Sequence, residues 1–574
     1  MKTLNLGLWV VGGALGLACA TAPASGAAPS SSSSSAAWDA LASRFIEWTF
    51  RHHPGRAVNA GRHEFDGQLR DFSAEALKKD AEELRAFQAE LAAVDAAALP
   101  PIKALEREVL QGVVERELFA LEELRQPFRT PTFYGHELSP SVYVTRPYAP
   151  VEVRARAFAA WARQVPRAAK QAIDNLQGPM PKTFVGIGRI TAGGLAKYVV
   201  EDAQQAFASV ADPALKAEVK AAGEAASAAM KEMDAAFAAQ EKTATDDFAL
   251  GAERFQRLLH VVERVDLPMD RLEEIGRQDL ERNLAALREA CAQLAPGATL
   301  AACVDKAEAR KPPEGPVEAA RRQLDVLEKM IRERKVVSIP GPERAQVDEA
   351  PAYRRWNFAY IEIPGPYERG LPSIYYIAPP DPRWSEKDRA AYLPGESNLL
   401  FTSVHEVWPG HFLQFLHANR APSRVLQLFP TGGFTEGWAH YAEELMWEEG
   451  LGAGDPQAHV GQLLDALLRN CRYLSAIGMH ARGMKVEESE RMFREQCFQN
   501  PGGARQQAAR GTFDPGYLNY TLGKLMIRKL REDWTRTRGG RAAWREFHDT
   551  FLSYGSPPVP LVRKMMMGEA GEVL

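Results

Sequence analysis

The sequence predicts a mainly α protein: a large multi-helix fold with one small β element just ahead of its most chemically loaded segment. Apolar residues recur at helical spacing through most of the 574 residues. Ala-rich faces in the first half suit close helix packing. One stretch, Ala352–Pro382, breaks the pattern, being aromatic, Ile-rich and punctuated by Pro and Gly. The chain is longer than one simple core usually holds, so one large helical body with two lobes and a pair of separate domains are both open.

The elements follow in order. Lys2, the apolar run Leu4–Leu17 and the small residues up to Ala28 form an export signal over residues 1–28. Gly-Leu-Ala-Cys ending at Cys19 partly matches a lipoprotein box, with Gly16 where Leu is usual. A lipid anchor at Cys19 and a freely secreted or periplasmic protein both remain open. The Ser-rich residues 29–37 read as a polar tether, and residues 38–574 as the helical body. Amphipathic helices are expected over Phe72–Val94, Leu105–Leu124, Pro150–Leu176, Leu267–Leu294 and Val317–Arg334, with a helix or helix pair over Asp212–Gln240. Pro312–Pro316 and Ile339–Pro342 mark breaks. Within Ala352–Pro382, Ser373–Ala378 is an expected edge strand. Such a strand is either a hairpin covering the core or a platform for an extended peptide, with Tyr376 as a substrate contact.

After Cys19, four cysteines remain, an even number suited to disulfides in an exported chain. Cys291 with Cys303 and Cys471 with Cys497 are the natural pairs by proximity, although three connectivities are possible. Basic and acidic residues are mixed and the formal charge is -4, so nothing points to nucleic acid. No apolar run after the N-terminus is long enough to span a membrane.

The chemistry concentrates in HEVWPGH at His405–His411 and EGWAHYAEE from Glu436. Two imidazoles and a carboxylate suit Zn²⁺, and a catalytic zinc keeps a position open for water. Bound zinc lowers the pKa of that water to about 7, so a neighbouring Glu, here Glu406, can take its proton. In HExxH the His residues lie four apart on one helix face. Here they lie six apart, which turns the side chain by about 240° on a regular helix. Pro409 cannot donate to the carbonyl of His405, and Gly410 tolerates almost any backbone conformation. A bulge or break there could return His411 to the side of His405; the alternative is a helix ending at Trp408, His411 opening another element and no metal. Glu436 is expected to open a helix capped by Thr435 after a Thr431–Gly433 turn, with Glu436, His440, Glu443 and Trp447 sharing a face toward a metal and its surroundings.

HEVWPGHFLQ, EGWAHYAEEL and GYLNYTLGKLMIRKL together resemble the bacterial family catalogued as domain of unknown function 885. RFIEWTFRHHPGRAVNAGRHEFDGQLRDFS and EFHDTFLSYGSPPVPLV resemble that family's ends, so the likeness covers most of Trp38–Leu574. It implies a helical, zinc-peptidase-like fold with a deep cleft, similar in pattern to thimet-oligopeptidase-type metallopeptidases. It implies one zinc per chain on His405, His411 and Glu436, with Glu406 as the base and a peptide as substrate. Tyr520 matches a family Tyr and is a candidate oxyanion donor; Tyr517 could serve instead, or both could pack in the core. His480 matches a family His and is the other candidate for oxyanion stabilisation or substrate binding, although Ala476 stands where an Asp often precedes it; the alternative is a core His among apolar residues. The resulting expectation is an exported zinc peptidase of the periplasm, the outer membrane or the medium. The alternative is an envelope-associated binding or scaffold protein with little or no turnover.

Overall fold

The computed structural model describes residues 31–135, 137–350, 355, 358–380, 384–568 and 571–574. The signal segment 1–28 and Cys19 lie outside them. The principal helices are α1 (Ser31–His52), α2 (Ala74–Ala93), α3 (Pro101–Leu118), α4 (Lys182–Tyr198), α5 (Pro213–Gln240), α6 (Met269–Leu294) and α7 (Pro316–Arg334). They continue with α8 (Glu396–Glu406), α9 (His411–Ala418), α10 (Gly432–Glu448), α11 (Pro456–Ala481) and α12 (Asn519–Thr535). The protein is mainly helical with a small three-stranded sheet. Among the described residues no helix is long and apolar enough to cross a membrane.

Local chemistry explains several helix starts. Ser73 accepts from Ala76 N at the head of α2, and Asp212 from Ala214 N at the head of α5. Asp455 accepts from Gln457 N at the head of α11, where Pro456 takes the first turn. Asp212–Gln240 forms one helix rather than a pair. Pro150–Leu176 divides into Val151–Ala162 and Val165–Asn175, the second with Pro166 in its first turn. The helix expected over Leu105–Leu124 leaves α form at Leu118 and continues as a wider π turn through Glu123. Residues 31–37, read as tether, are the opening turns of α1, where Trp38 and Leu41 anchor the helix in the core.

One apolar core runs from Trp38 to Val562. Within it α6 packs on α11, α8 against α7, α10 and α11, and α10 against α12. The last contact is the closest. A Cβ on Gly437 would meet Gly523 Cα at 2.5 Å, and one on Gly523 would meet the Gly433 carbonyl oxygen at 1.9 Å. Only glycine permits this approach. A buried polar cluster links α6, α11 and α12: Lys524 Nζ donates to Asp279 Oδ2 at 2.9 Å, and Asn470 Nδ2 donates to the same oxygen at 2.8 Å. The expected cysteine pairs both form, Cys291–Cys303 and Cys471–Cys497.

The sheet corrects one expectation. β1 (Ala345–Glu349), β2 (Ala359–Glu362) and β3 (Ser373–Ile377) are ordered β1-β3-β2, so β3 is the central strand and not an edge. β1 pairs with it in parallel and β2 antiparallel. Both hydrogen-bonding sides of β3 are therefore taken, and a peptide cannot add to it. Alternation along β3 sends Tyr375 into the main core, while Tyr376 packs on the Tyr360 ring at 5.2 Å in a small separate cluster.

Candidate metal centre

α8 ends at Glu406. Trp408–Pro409 is a cis peptide, and the chain folds back so that Gly410 N donates to the Val404 carbonyl at 3.0 Å. A Cβ on Gly410 would lie 1.8 Å from the His405 carbonyl oxygen, so this return requires glycine. α9 then starts at His411. The helix breaks rather than bulges, and the break turns the two imidazoles toward each other: ring centroids lie 4.7 Å apart at 86°. Trp438 Nε1 donates to the Pro409 carbonyl at 2.8 Å, which fastens the break to α10.

α10 starts at Gly432, with Thr431 at the cap position. Thr435 is thus inside the helix, its hydroxyl donating to the Thr431 carbonyl, and Glu436 sits in the second turn rather than at the opening. The helix begins early because Glu263, fully buried, accepts from Gly433 N at 2.8 Å and so satisfies a free amide at the helix head. From its place in α10, Glu436 Oε2 lies 3.5 Å from His405 Nε2 and 3.4 Å from His411 Nε2. One ligand atom from each of the three residues falls within 4.8 Å of the others. Glu436 Oε2 is buried and makes no hydrogen bond of its own.

The groups behind these three set their charge. His405 Nδ1 lies 2.7 Å from Glu443 Oε1, whose second oxygen lies 3.2 Å from His440 Nδ1. Arg469 Nη2 reaches Glu443 Oε1 at 3.1 Å, and its Nη1 reaches Asp465 Oδ1 at 2.8 Å. Burial works against charge on His405, but Glu436 and Glu443 outweigh it and raise its pKa to about 9. Burial also works against ionised Glu436, and His411 and His405 still hold it well below the usual carboxylate range. The pocket therefore concentrates negative charge at the point where three lone pairs meet. A proton or a metal ion would answer that charge.

Glu406, next to His405, closes α8 and is half-buried. Its charge acts on Tyr375 of β3, whose hydroxyl burial and then Glu406 and Asp465 keep protonated. Tyr375 rather than Tyr376 thus lies beside the site. Tyr520 in α12 stacks on His405 with centroids 6.2 Å apart. Its hydroxyl is kept protonated by burial and by Glu436. Tyr517 stands in the 3₁₀ turn Pro515–Leu518, not on the same helix face as Tyr520, and its buried hydroxyl donates to Ser475 Oγ at 2.8 Å. His480 is buried too, with Nε2 2.7 Å from the Gly511 carbonyl and its ring stacked on Phe255. The structure thus gathers His405, His411, Glu436 and Tyr520, with Glu406 beside them. Tyr517, His480 and Tyr376 occupy packed positions with other partners.

Sequence reading passed over Asp465, Arg469 and Arg472. They fall at i, i+4 and i+7 of α11, on one face of a Leu-rich helix. Three charges in line on so apolar a helix were the available signal. Tyr375 and Glu263 carried none.

The family model described as "Bacterial protein of unknown function (DUF885)" matches residues 54–566. No curated protein matches the sequence. The fold is similar to a "putative lipoprotein of unknown function" from Shewanella oneidensis, with TM-score 0.75 and 22% identity over 92% of this chain and 99% of that one. It is also similar to a "putative lipoprotein" from Colwellia psychrerythraea, with TM-score 0.80 and 18% identity over 94% of this chain and 99% of that one.

Proposed function

This chain belongs to the DUF885 family, and we propose that it is an exported zinc-dependent peptidase. The observation that carries the reading is the convergence of His405 Nε2, His411 Nε2 and Glu436 Oε2, the last buried without a hydrogen bond. Ligand bonds of about 2.0–2.2 Å at tetrahedral angles hold ligand atoms roughly 3.3–3.6 Å apart. The two His–Glu separations, 3.5 and 3.4 Å, are of that size. Two imidazoles and one carboxylate are a zinc donor set, and Glu443 on His405 Nδ1 is the outer partner that fixes a ligand His. The zinc-peptidase-like fold and a substrate cleft over this site belong to the same proposal.

Zinc, when bound, supplies a Lewis acid that polarises a carbonyl and acidifies water. The protein supplies the rest. Glu406 follows a ligand His and is no part of the converging set, so its carboxylate is free to take a proton from water and pass it to the leaving amine. Tyr520, protonated and stacked on His405, is the donor placed to meet the developing oxyanion. Glu443 holds the tautomer of His405 and is itself held by Arg469. The export signal and the likeness to two lipoproteins support an envelope location, with Cys19 as the candidate anchor.

The test is a mixed peptide library read by mass spectrometry. Wild type should cleave it, chelated protein should not, and added zinc should restore cleavage. No cleavage at full zinc occupancy would instead favour a binding or scaffold role.

A further inference from the structure

Three arginines lie around Tyr520, Arg469 and Arg472 over its ring and Arg510 at its hydroxyl, and they are not equivalent. Arg469 is engaged by Glu443 at 3.1 Å and by Asp465 at 2.8 Å. Arg510 is engaged by Asp514 at 2.8 Å. Arg472 is 8% exposed, and its Nε donates to the neutral Gln507 Oε1 at 2.9 Å. Among the described residues no carboxylate lies within ion-pair distance of it. Glu436 favours its charge through space, but that carboxylate is committed to the two ligand histidines. Burial, followed by Arg510, pushes the Arg472 pKa down to about 10, so this cation is held at a cost. A buried charge without a partner is unfavourable unless something arrives to pair it.

Its place says what arrives. Arg472 Cζ lies 4.9 Å from the Tyr520 ring centroid, and that centroid lies 6.2 Å from the His405 ring. The two legs together put the guanidinium within about 11 Å of a ligand imidazole, roughly three extended residues at 3.3–3.6 Å each. Its cation–π seat on Tyr520 holds the side chain in place. A planar guanidinium fork matches a carboxylate with two parallel hydrogen bonds.

We infer that Arg472 docks a carboxylate of the bound peptide, its C-terminus or an acidic side chain, within about three residues of the cleaved bond. This deepens the peptidase reading and rests on it. A C-terminal carboxylate there would make the enzyme an exopeptidase that cuts near the carboxyl end. An acidic side chain would make it selective for acidic sequences.

Binding is measured by calorimetry in the zinc-loaded Glu406→Gln background, which suppresses turnover. The probes are three N-acetylated tripeptides: a free acid, its neutral amide, and the amide with Glu as its last residue. One carboxylate-bearing peptide should bind about 10–100-fold tighter than the neutral amide, the range of a charge-assisted bidentate pair. The free acid winning identifies the terminus, and the Glu amide winning identifies the side chain. Arg472→Gln should bring the winner down to the neutral amide. Arg472→Lys should recover only part of the preference, because it restores the charge without the fork. Melting temperature and zinc content show that the variants are folded. Equal binding of all three, no binding of any, or a preference that survives Arg472→Gln overturns the assignment. Library cleavage and zinc content test the peptidase reading separately, so an active enzyme indifferent to the carboxylate sinks only the role of Arg472.

Discussion

On the proposed zinc reading, neutralising Glu443 should weaken metal binding without dismantling the site. Glu443 is fully buried and meets His405 Nδ1 at 2.7 Å, His440 Nδ1 at 3.2 Å and Arg469 Nη2 at 3.1 Å. Burial pushes its carboxyl pKa up, but Arg469 and then His440 hold it well below the usual carboxylate range. Glu443→Gln keeps the shape and one acceptor oxygen for His405. It removes the charge that makes His405 a more basic ligand, and it sets an amide N–H where only donors and Arg469 are close. Loss of such an outer partner weakens metal affinity by about 10–100-fold, or about 1.4–2.7 kcal/mol. Arg469 keeps Asp465 at 2.8 Å. The fold should therefore lose no more than about 3 kcal/mol, the low end for breaking a buried pair. Competition against a fluorescent chelator gives the zinc Kd, and melting of the metal-free forms gives stability. Asp279→Asn is the control, since Asp279 is buried and paired with Lys524 but touches none of the three ligands. It should lower stability and leave the zinc Kd alone. A Glu443→Gln Kd within twofold of wild type would refute the link between this carboxylate and the metal.

Glu406→Gln should lower turnover by about 10²–10⁴-fold at unchanged zinc content, measured on any peptide the library identifies; equal rates would remove Glu406 as the base. Tyr520→Phe should lower kcat by about 10²–10³-fold and spare zinc, and a fall in KM alone would refute the oxyanion role. Gly523→Ala places a methyl 1.9 Å from the Gly433 carbonyl oxygen and should cost about 1–3 kcal/mol by overpacking; an unchanged melting temperature would show that α10 and α12 are not in backbone contact. Glu263 is buried, and desolvation raises its carboxyl from the ordinary 4.5 to about 7. The folded state thus keeps a proton that the unfolded state gives up, and its contribution to stability falls as pH rises from about 4.5 to about 7. Relative to Glu263→Gln, wild type should lose on the order of 3 kcal/mol across that window, and parallel melting curves at pH 5 and pH 8 would contradict this.

What could be read from the sequence was what local chemistry decides. Apolar spacing pointed to helices over Phe72–Val94 and Asp212–Gln240, and α2 and α5 stand there. Pro409 and Gly410 announced a backbone that could not stay helical, and the break follows there. The converging trio was legible for the same reason. What stayed hidden depends on distant partners. β1 reads as the charged segment AQVDE and becomes a strand only because β3 is beside it, and its arrival turns the expected edge into a centre. The pairing also decides that Tyr375 and not Tyr376 lies by Glu406. Thr435 looked like a cap because nothing near it in sequence reveals Glu263, which draws the helix back to Gly432. The line of charges on α11 hinted at Arg472, but only the packing of α12 shows that Tyr520 covers it.

The glycine contact between α10 and α12 has a consequence for how this protein can change. Glu436 and Tyr520 stand on two helices whose backbones touch at Gly437 and Gly523, so no side chain between the helices sets their spacing there. Substitutions elsewhere can accumulate without detuning it. The row Asp465, Arg469, Arg472 stands on a third helix, outside that contact. On the proposed peptidase reading, Arg472, the residue assigned to the substrate carboxylate, thus lies off the pair of helices that carry Glu436 and Tyr520. Redirecting the proposed activity to a neutral or cationic peptide would then mean editing Arg472 while leaving Asp465, Arg469 and the glycine pair alone.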